Sequence, residues 1–524
     1  MKNNVNTVEQ NHGFFQRFLD FLEFVGNKFP SPFLLFSGLA VSVLILSALF
    51  SGASATYMGV GGKQTTVTVV NLLQVPTLQG FLQDALKNFI QFPPLGLVVL
   101  LMMAMGLAEG TGFIICLVKR LLQGVPDWGM TAAIFFIGIN GNLASDAAMI
   151  VMPAIAASVY AAMGRNPLLG MSIAFSATAA GFSANILPAG TDALMSGITQ
   201  TAIKMLPETI NSPAHILINY YFMSSSVVIL TTIGTIVAEK IVAPRLDTYM
   251  PYMRKEIVEC EEAALKPEEI RGLRFAGWAG FAFLAVLLAL ALPEHAFLRN
   301  PKTLAFIPKS PLLDGMIPIL FAFFFTLGTA FGVGKGVIKN FEDIGSFLAE
   351  GVKSASGFIV TAFPAAQFIT WFGKSNLASV LSIKGAYFLQ SIDFTGIALV
   401  VAFILLCGIA DMLLTSGSAK WLFFSPIFIP MFALLGYEPA LVQAAYRLGE
   451  SVTNPISPLN FYIPVIIGIA SRYIDTEKKP IGYGTIIAAQ LPFSIWFLIG
   501  WGAWLITFMV MDWPLGPGVG VYLK

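Results

Sequence analysis

Long apolar runs set the strongest limit on what this chain of 524 residues can fold into. Seven of them, at 33–50, 94–118, 214–243, 274–293, 314–338, 354–380 and 484–511, match the length of a membrane-crossing helix, for which about 20 mostly apolar residues suffice. Within a bilayer every backbone N–H and C=O must be bonded inside the protein, so only helices and closed barrels span it. Runs this long belong to helices. Composition agrees, with 56% of residues hydrophobic and 11% charged, against about 25% charged in an ordinary soluble domain. The expected class is an all-α polytopic membrane protein. Its 30 Lys+Arg nearly cancel 29 Asp+Glu, so no basic face is offered to nucleic acid. Cys116, Cys260 and Cys407 lack CxxC or ligand-like spacing, which argues against a disulfide framework or a metal centre.

Four further runs are too long or too polar for simple crossings. Residues 129–163 and 395–436 carry polar centres, Asn140–Asp146 and Asp411–Lys420, and are expected to be re-entrant hairpins, since polar backbone at membrane depth is tolerated only inside protein or against a cavity. Residues 165–205 and 437–470 are interrupted at 181–192 and 449–460 and are expected to be broken spans. The two hairpin-plus-broken-span units repeat one another. Ser145 and Pro153 in the first match Ser418 and Pro426 in the second, and Gly164-x-x-Pro167 matches Gly436-x-x-Pro439. Paired, helix-breaking polar segments in corresponding halves point to the binding site of a secondary transporter.

Charge bias gives the topology, because cytoplasmic loops are the Lys/Arg-rich ones. Arg17 and Lys28, Lys119 and Arg120, the 244–273 loop and the Arg472–Lys479 loop fall on one side only if 129–163 and 395–436 each return to the face they entered. That predicts about nine transmembrane helices plus two re-entrant hairpins entering from opposite faces, an inverted repeat, with the N-terminus cytoplasmic and the C-terminus outside. The basic loop 294–313 sits against this scheme. Residues 1–243 form the first half, 244–273 a cytoplasmic connector and 274–524 the second half. Residues 33–50 are read as an uncleaved first span, although Ala53-Ser54-Ala55 resembles a signal-cleavage site.

Ionisable residues inside apolar runs cost roughly 2.5–3.5 kcal/mol each on insertion scales and therefore face a cavity or a partner. Asp146, Asp192, Asp411, Lys420, Arg447 and Glu450 are of this kind. Arg447 and Glu450 are three apart on one helical face, so they form either a mutual ion pair or a working pair, with Arg447 attracting an anion and Glu450 or Asp192 taking up a proton. Ser183 and Asn185, and Ser451 and Asn454, stand at the two breaks, where they either cap broken helix ends or coordinate Na⁺ or a carboxylate. Trp421 beside Lys420 is packing or a substrate platform. The three histidines form no metal-protease motif, Gly59-Val-Gly-Gly-Lys63 is not a phosphate loop, and no G-x-S-x-G occurs. An enzyme and an ATP-driven pump are both disfavoured, leaving an ion gradient or the substrate's own gradient to drive transport.

The stretches SANILPAGTDALMSGIT (183–199), SGSAKWLFFSPIFIPM (416–431) and AAYRLGESVTNPISP (444–458) resemble the signature regions of the p-aminobenzoyl-glutamate transporter (AbgT) family. The resemblance implies a bacterial inner-membrane homodimer with nine spans, two hairpins and an ion-transporter-type inverted repeat. It also implies a substrate of the p-aminobenzoyl-glutamate type, an aromatic amide or carboxylate, and in some members proton-driven export of sulfonamide-like antimetabolites. By position it assigns function to Asp192, Ser418, Trp421 and Arg447, with Pro439 and Pro458 shaping the site. Two departures stand out: Glu450 replaces the usual aspartate, and Asp411 stands where asparagine is expected. The leading reading is a proton-coupled secondary transporter without a cofactor. The alternatives are a Na⁺-coupled carboxylate importer and, from another class, an ion channel.

Overall fold

The computed structural model describes residues 30–58, 64–141, 148–205, 212–213, 215–254, 265–307, 310–414 and 416–523. Ser145 and Asp146 at the first expected hairpin tip, Lys309, and residues 255–264 of the connector lie outside the described residues. The architecture is helical, and the described residues include eight helices long and apolar enough to cross a membrane, or nine if a pair bent by 48° counts as one. The helices of ten residues or more are α1 (Pro32–Leu49), α2 (Val75–Ile90), α3 (Pro93–Gly110), α4 (Phe113–Leu122), α5 (Met130–Ile139), α6 (Ala148–Ala162), α7 (Pro167–Ala179), α8 (Gly190–Ile203), α9 (Tyr220–Val237) and α10 (Pro267–Ala291). They continue with α11 (Met316–Lys335), α12 (Phe341–Ser354), α13 (Ser356–Lys374), α14 (Leu377–Ser391), α15 (Gly396–Leu413), α16 (Gly417–Leu434), α17 (Pro439–Thr453), α18 (Ile463–Tyr473) and α19 (Tyr483–Met511). One element is not helical: Ser54–Met58 and Gln64–Thr68 form an antiparallel ribbon, favoured by their β-branched Thr and Val.

The sequence repeat has a local cause. Gly164 and Gly436 adopt left-handed φ values of +68° and +91°, open to glycine without a Cβ penalty. Each ends a hairpin arm in the same way, with Arg165 N–H bonding the Tyr160 carbonyl at 2.8 Å and Tyr437 N–H bonding the Phe432 carbonyl at 3.0 Å, the six-to-one bond of a Schellman cap. Pro167 and Pro439 then open the next helix, where the missing N–H costs nothing. The two turns lie at opposite ends of α9. Arg165 pairs with Glu239 at 2.7 Å, just beyond the α9 C-terminus. Glu438 accepts from Ser212 at 2.6 Å, and its N–H bonds Val521 in the C-terminal tail that also binds Tyr221 at the α9 N-terminus. An 18-residue helix separates the ends by about 27 Å.

Within each unit the two hairpin arms touch each other little and both pack on the first piece of the broken span that follows: α5 and α6 on α7, α15 and α16 on α17. The arms of the second unit are longer than half-helices, since α15 and α16 have 18 residues each and would cross unaided. The pieces α7, α8, α17 and α18 are all shorter than that, with breaks at 180–189 and 454–462. Gly106 and Gly110 let α3 pack closely on α12: a Cβ on Gly106 would strike Gly351 of α12, and one on Gly110 would meet Phe347.

Candidate functional site

Both breaks and the tip of the second hairpin meet around α8 and α17. Asp192 sits in the first turn of α8, where its Oδ2 accepts from the Ala189 N–H at 2.7 Å and from Asn185 Nδ2 at 2.5 Å, satisfying a helix N-terminus as an acidic residue does best. Its Oδ1 faces α17, where Arg447 Nη1 donates at 2.6 Å. Arg447 Nη2 donates to the Ser183 carbonyl at 3.0 Å, one of the backbone groups freed by the break. The pair is desolvated, with side chains 1% and 8% exposed, and Arg447 Nε has no partner.

Of the two readings of Arg447 and Glu450, the mutual ion pair is not found among the described residues. The two share a helical face, but Arg447 reaches the first break while Glu450 points to the hairpin tip, where Lys420 Nζ lies 3.8 Å from Glu450 Oε1. Lys420 is bonded to Asp411, whose other oxygen accepts from Thr453 Oγ1 at 2.9 Å. Asp411 and Glu450, the two residues expected to depart from the family pattern, therefore belong to one buried cluster holding two carboxylates and one ammonium. Gly417 makes this approach possible, because a Cβ there would collide with the Glu450 carboxylate. Tyr446 closes the tip by donating to the Gly417 carbonyl at 2.5 Å.

Trp421 is fully buried, stacked on Tyr446 with centroids 4.6 Å apart, and its Nε1 donates to Thr199 at 3.0 Å. Thr199 in turn donates to Gln443 at 2.5 Å. Here the tryptophan ties the second hairpin to α8 and α17 and presents no open face. Ser418 is half-buried in the first turn of α16. Pro439 lies two turns before Arg447, about 12 Å along the helix, and shapes the site only by starting α17. Pro458 lies in the second break. Among the four proposed Na⁺ ligands, Asn185 is taken by Asp192, Ser183 offers its carbonyl to Arg447, Asn454 Nδ2 reaches the Ala179 carbonyl at 3.4 Å, and the Ser451 hydroxyl is buried without a partner. Asn454 thus links the two breaks.

Several participants are invisible to motif reading. Thr199, Gln443 and Tyr446 lie in or next to the signature stretches yet carry no charge to flag them. Asn219, which precedes α9, is 2% exposed, and neither its Oδ1 nor its Nδ2 has a partner.

The chain matches the sequence profile of the AbgT transporter family over residues 17–523. It belongs to the AbgT family. It is 34% identical to the p-aminobenzoyl-glutamate transport protein of Escherichia coli K12 over 504 residues, covering 95% of this chain and 96% of that one. Two solved AbgT-type structures share the fold. The MtrF structure from Neisseria gonorrhoeae, described as illuminating a class of antimetabolite efflux pumps, superimposes with a TM-score of 0.87 at 34% identity, covering 96% of this chain and all of its own. The YdaH transporter of Alcanivorax borkumensis, described as having an unusual topology, gives 0.86 at 31% identity, covering 93% of this chain and 100% of its own. The protein is thus a multi-pass membrane transporter.

Proposed function

We propose that this AbgT protein is a secondary active transporter of p-aminobenzoyl-glutamate or related p-aminobenzoic acid-like compounds, coupled to protons and able to export sulfonamides. The observation that carries the coupling is the buried charge count. Among the described residues Arg447 pairs with Asp192, whereas Lys420 alone serves both Asp411 and Glu450, so one carboxylate is in excess in that second cluster, and a charge buried without a counter-ion is costly. One bound proton restores neutrality. Na⁺ is less suited to the first break, because the Arg447 guanidinium already occupies the Ser183 carbonyl there. Asp192 is the acid that matters for substrate: protonating it releases Arg447, whose planar fork fits a substrate carboxylate.

A cavity of about 1050 Å³ lies on the other side of Leu187 and Pro188, walled by apolar residues of α4, α10 and α11, with Arg120 and Arg274 among its lining. It exceeds the ~300–1,000 Å³ typical of pockets for drug-sized ligands, and an apolar cleft with two arginines along its lining suits an aromatic dicarboxylate. The placement of the two Gly-x-x-Pro turns at opposite ends of α9 supports the inverted repeat, with each hairpin entering from its own face. The reading includes a homodimer in a bacterial inner membrane, N-terminus cytoplasmic and C-terminus periplasmic, checked by light scattering and by labelling of single cysteines.

Proteoliposomes loaded with p-aminobenzoyl-glutamate and given a pH gradient or a Na⁺ gradient separately test the proposal. Flux driven by pH alone is expected in wild type and absent in Asp192→Ala protein that remains folded. Flux driven only by Na⁺ would overturn proton coupling, and flux with neither would overturn coupled transport. A sulfonamide replacing the substrate tests export.

A further inference from the structure

We infer that Asn219 and the Asp192 carboxylate form a binding site for a single water molecule, or its hydronium form, and that this site delivers the proton to Asp192. Asn219 lines a small cavity of about 10 Å³ together with Asn185, Pro188, Asp192, Tyr220 and the apolar Ile216, Leu217 and Met223. That volume holds about one water and excludes any organic substrate. An asparagine side chain offers two donors and an acceptor, and in a well-ordered interior such a group finds a partner. Here both ends of the Asn219 amide are buried and have no partner among the described residues. It precedes α9 at the N-cap position but makes no capping bond, so helix termination does not account for it. A water in this cavity would satisfy the amide and lie against Asp192.

The inference rests on the reading that Asp192 carries the coupled proton. The step balances simply: a hydronium passes one proton to the Asp192 carboxylate, leaving water held by Asn219 and a neutral carboxylic acid that no longer binds Arg447 as an ion. The other titratable and charged groups on elements packed against α8 are Glu109 of α3, Lys420 of α16, and Tyr446, Arg447 and Glu450 of α17. His215, in the loop before Asn219, is turned to the Pro517 carbonyl at 3.0 Å. Asn219 is the only neutral amide besides Asn185 lining this cavity, and Asn185 already donates to Asp192. Asn219 is accordingly a positioning residue for the proton and not a substrate ligand.

The test compares wild type, Asn219→Leu, which fills the cavity with apolar atoms, and Asn219→Ser, which leaves room for water beside a hydroxyl. Each is assayed in proteoliposomes for pH-gradient-driven uptake of p-aminobenzoyl-glutamate across a pH series and for substrate counterflow without a gradient. Asn219→Leu should lower gradient-driven uptake about tenfold or more, below the roughly 10²–10⁴-fold of a fully positioned proton donor, and move its pH profile, with counterflow retained. Asn219→Ser should restore most of the rate. Unchanged uptake and pH profile in Asn219→Leu would overturn the inference. Equal loss of counterflow and uptake would also overturn it, by making Asn219 a structural residue. A wild-type rate indifferent to the pH gradient would overturn the proton-coupling reading itself, and a wild-type rate that follows the gradient beside an unaffected Asn219→Leu overturns only this inference.

Discussion

Replacing Arg447 by Gln should expose how strongly the two halves of the protein are joined through one ion pair. Arg447 is 1% exposed and holds both Asp192, at 2.6 Å, and the Ser183 carbonyl, at 3.0 Å. Removing it leaves the Asp192 carboxyl buried without its counter-charge, which costs about 3–5 kcal/mol when one member of a buried pair is deleted. Asp192→Asn strands the Arg447 guanidinium in the same way and should cost a similar amount, eased only by the Ser183 carbonyl and by an asparagine oxygen that can still accept from the Ala189 N–H. The double variant Asp192→Asn/Arg447→Gln removes the stranded charge as well as the pair, so it should recover part of the loss. A coupling energy of about 0.5–3 kcal/mol is expected for groups in direct contact. The assay is a double-mutant cycle of thermal unfolding in one detergent, with gradient-driven uptake measured in parallel. All variants should lose uptake, whereas stability should recover only in the double variant. If Arg447→Gln unfolds like wild type, or the two single effects simply add, the buried pair is not the link described here.

Four other changes test separate parts of the site. Gly417→Ala places a methyl against the Glu450 carboxylate and should destabilise by about 1–3 kcal/mol, as overpacking does, with loss of uptake; a neutral outcome in melting would show that the hairpin tip can shift. Lys420→Met strands Asp411 and Glu450 together and should abolish folded expression, while Lys420→Met/Asp411→Asn should recover a detectable monodisperse peak in size exclusion. Arg120→Gln/Arg274→Gln, at the large cavity, should raise KM for p-aminobenzoyl-glutamate more than for p-aminobenzoic acid, which has one carboxylate fewer, with kcat little changed. Glu438, in the turn between α16 and α17, has its carboxyl pushed above the usual range by burial, partly offset by the Ser212 hydrogen bond. The folded state therefore holds that proton more tightly than the unfolded one, and stability falls as pH rises from the unfolded value through the raised one. Glu438→Gln should flatten that slope and melt no lower than wild type near neutrality.

The units of local chemistry were the legible part of this chain. Gly164-x-x-Pro167 and Gly436-x-x-Pro439 could be aligned by eye because a left-handed glycine followed by a helix-opening proline is a property of four consecutive residues. The breaks near Asn185 and Asn454 were readable for the same reason. Partner choice was not. Arg447 and Glu450 share a helical face by spacing, yet spacing along one helix says nothing about which foreign element lies opposite, and here two different ones do. Asp192, 255 residues from Arg447, takes the guanidinium because the first break presents it beside a free carbonyl. Asn219 escaped notice because a neutral amide at the head of an apolar run reads as an ordinary cap until its bonds are counted.

The way charges divide between the halves bears on how such a site can be driven. The Asp411–Lys420–Glu450 cluster lies wholly within the second unit, contributed by α15, α16 and α17. It can move as one body without separating any charges. The Asp192–Arg447 pair instead joins α8 of the first half to α17 of the second, so any motion that parts the halves must first break it. A proton on Asp192 lowers that cost, and a substrate carboxylate on Arg447 replaces the lost partner. A ligand shifts a conformational equilibrium only by its differential affinity for the two states, and this pair is where both ligands would find such a difference. Neutral Asp192 with empty Arg447 leaves an uncompensated buried guanidinium, and a substrate carboxylate on Arg447 with Asp192 still ionised leaves an uncompensated buried carboxylate. Both half-loaded states are penalised by the same desolvation, which is the condition that ties proton movement to substrate movement.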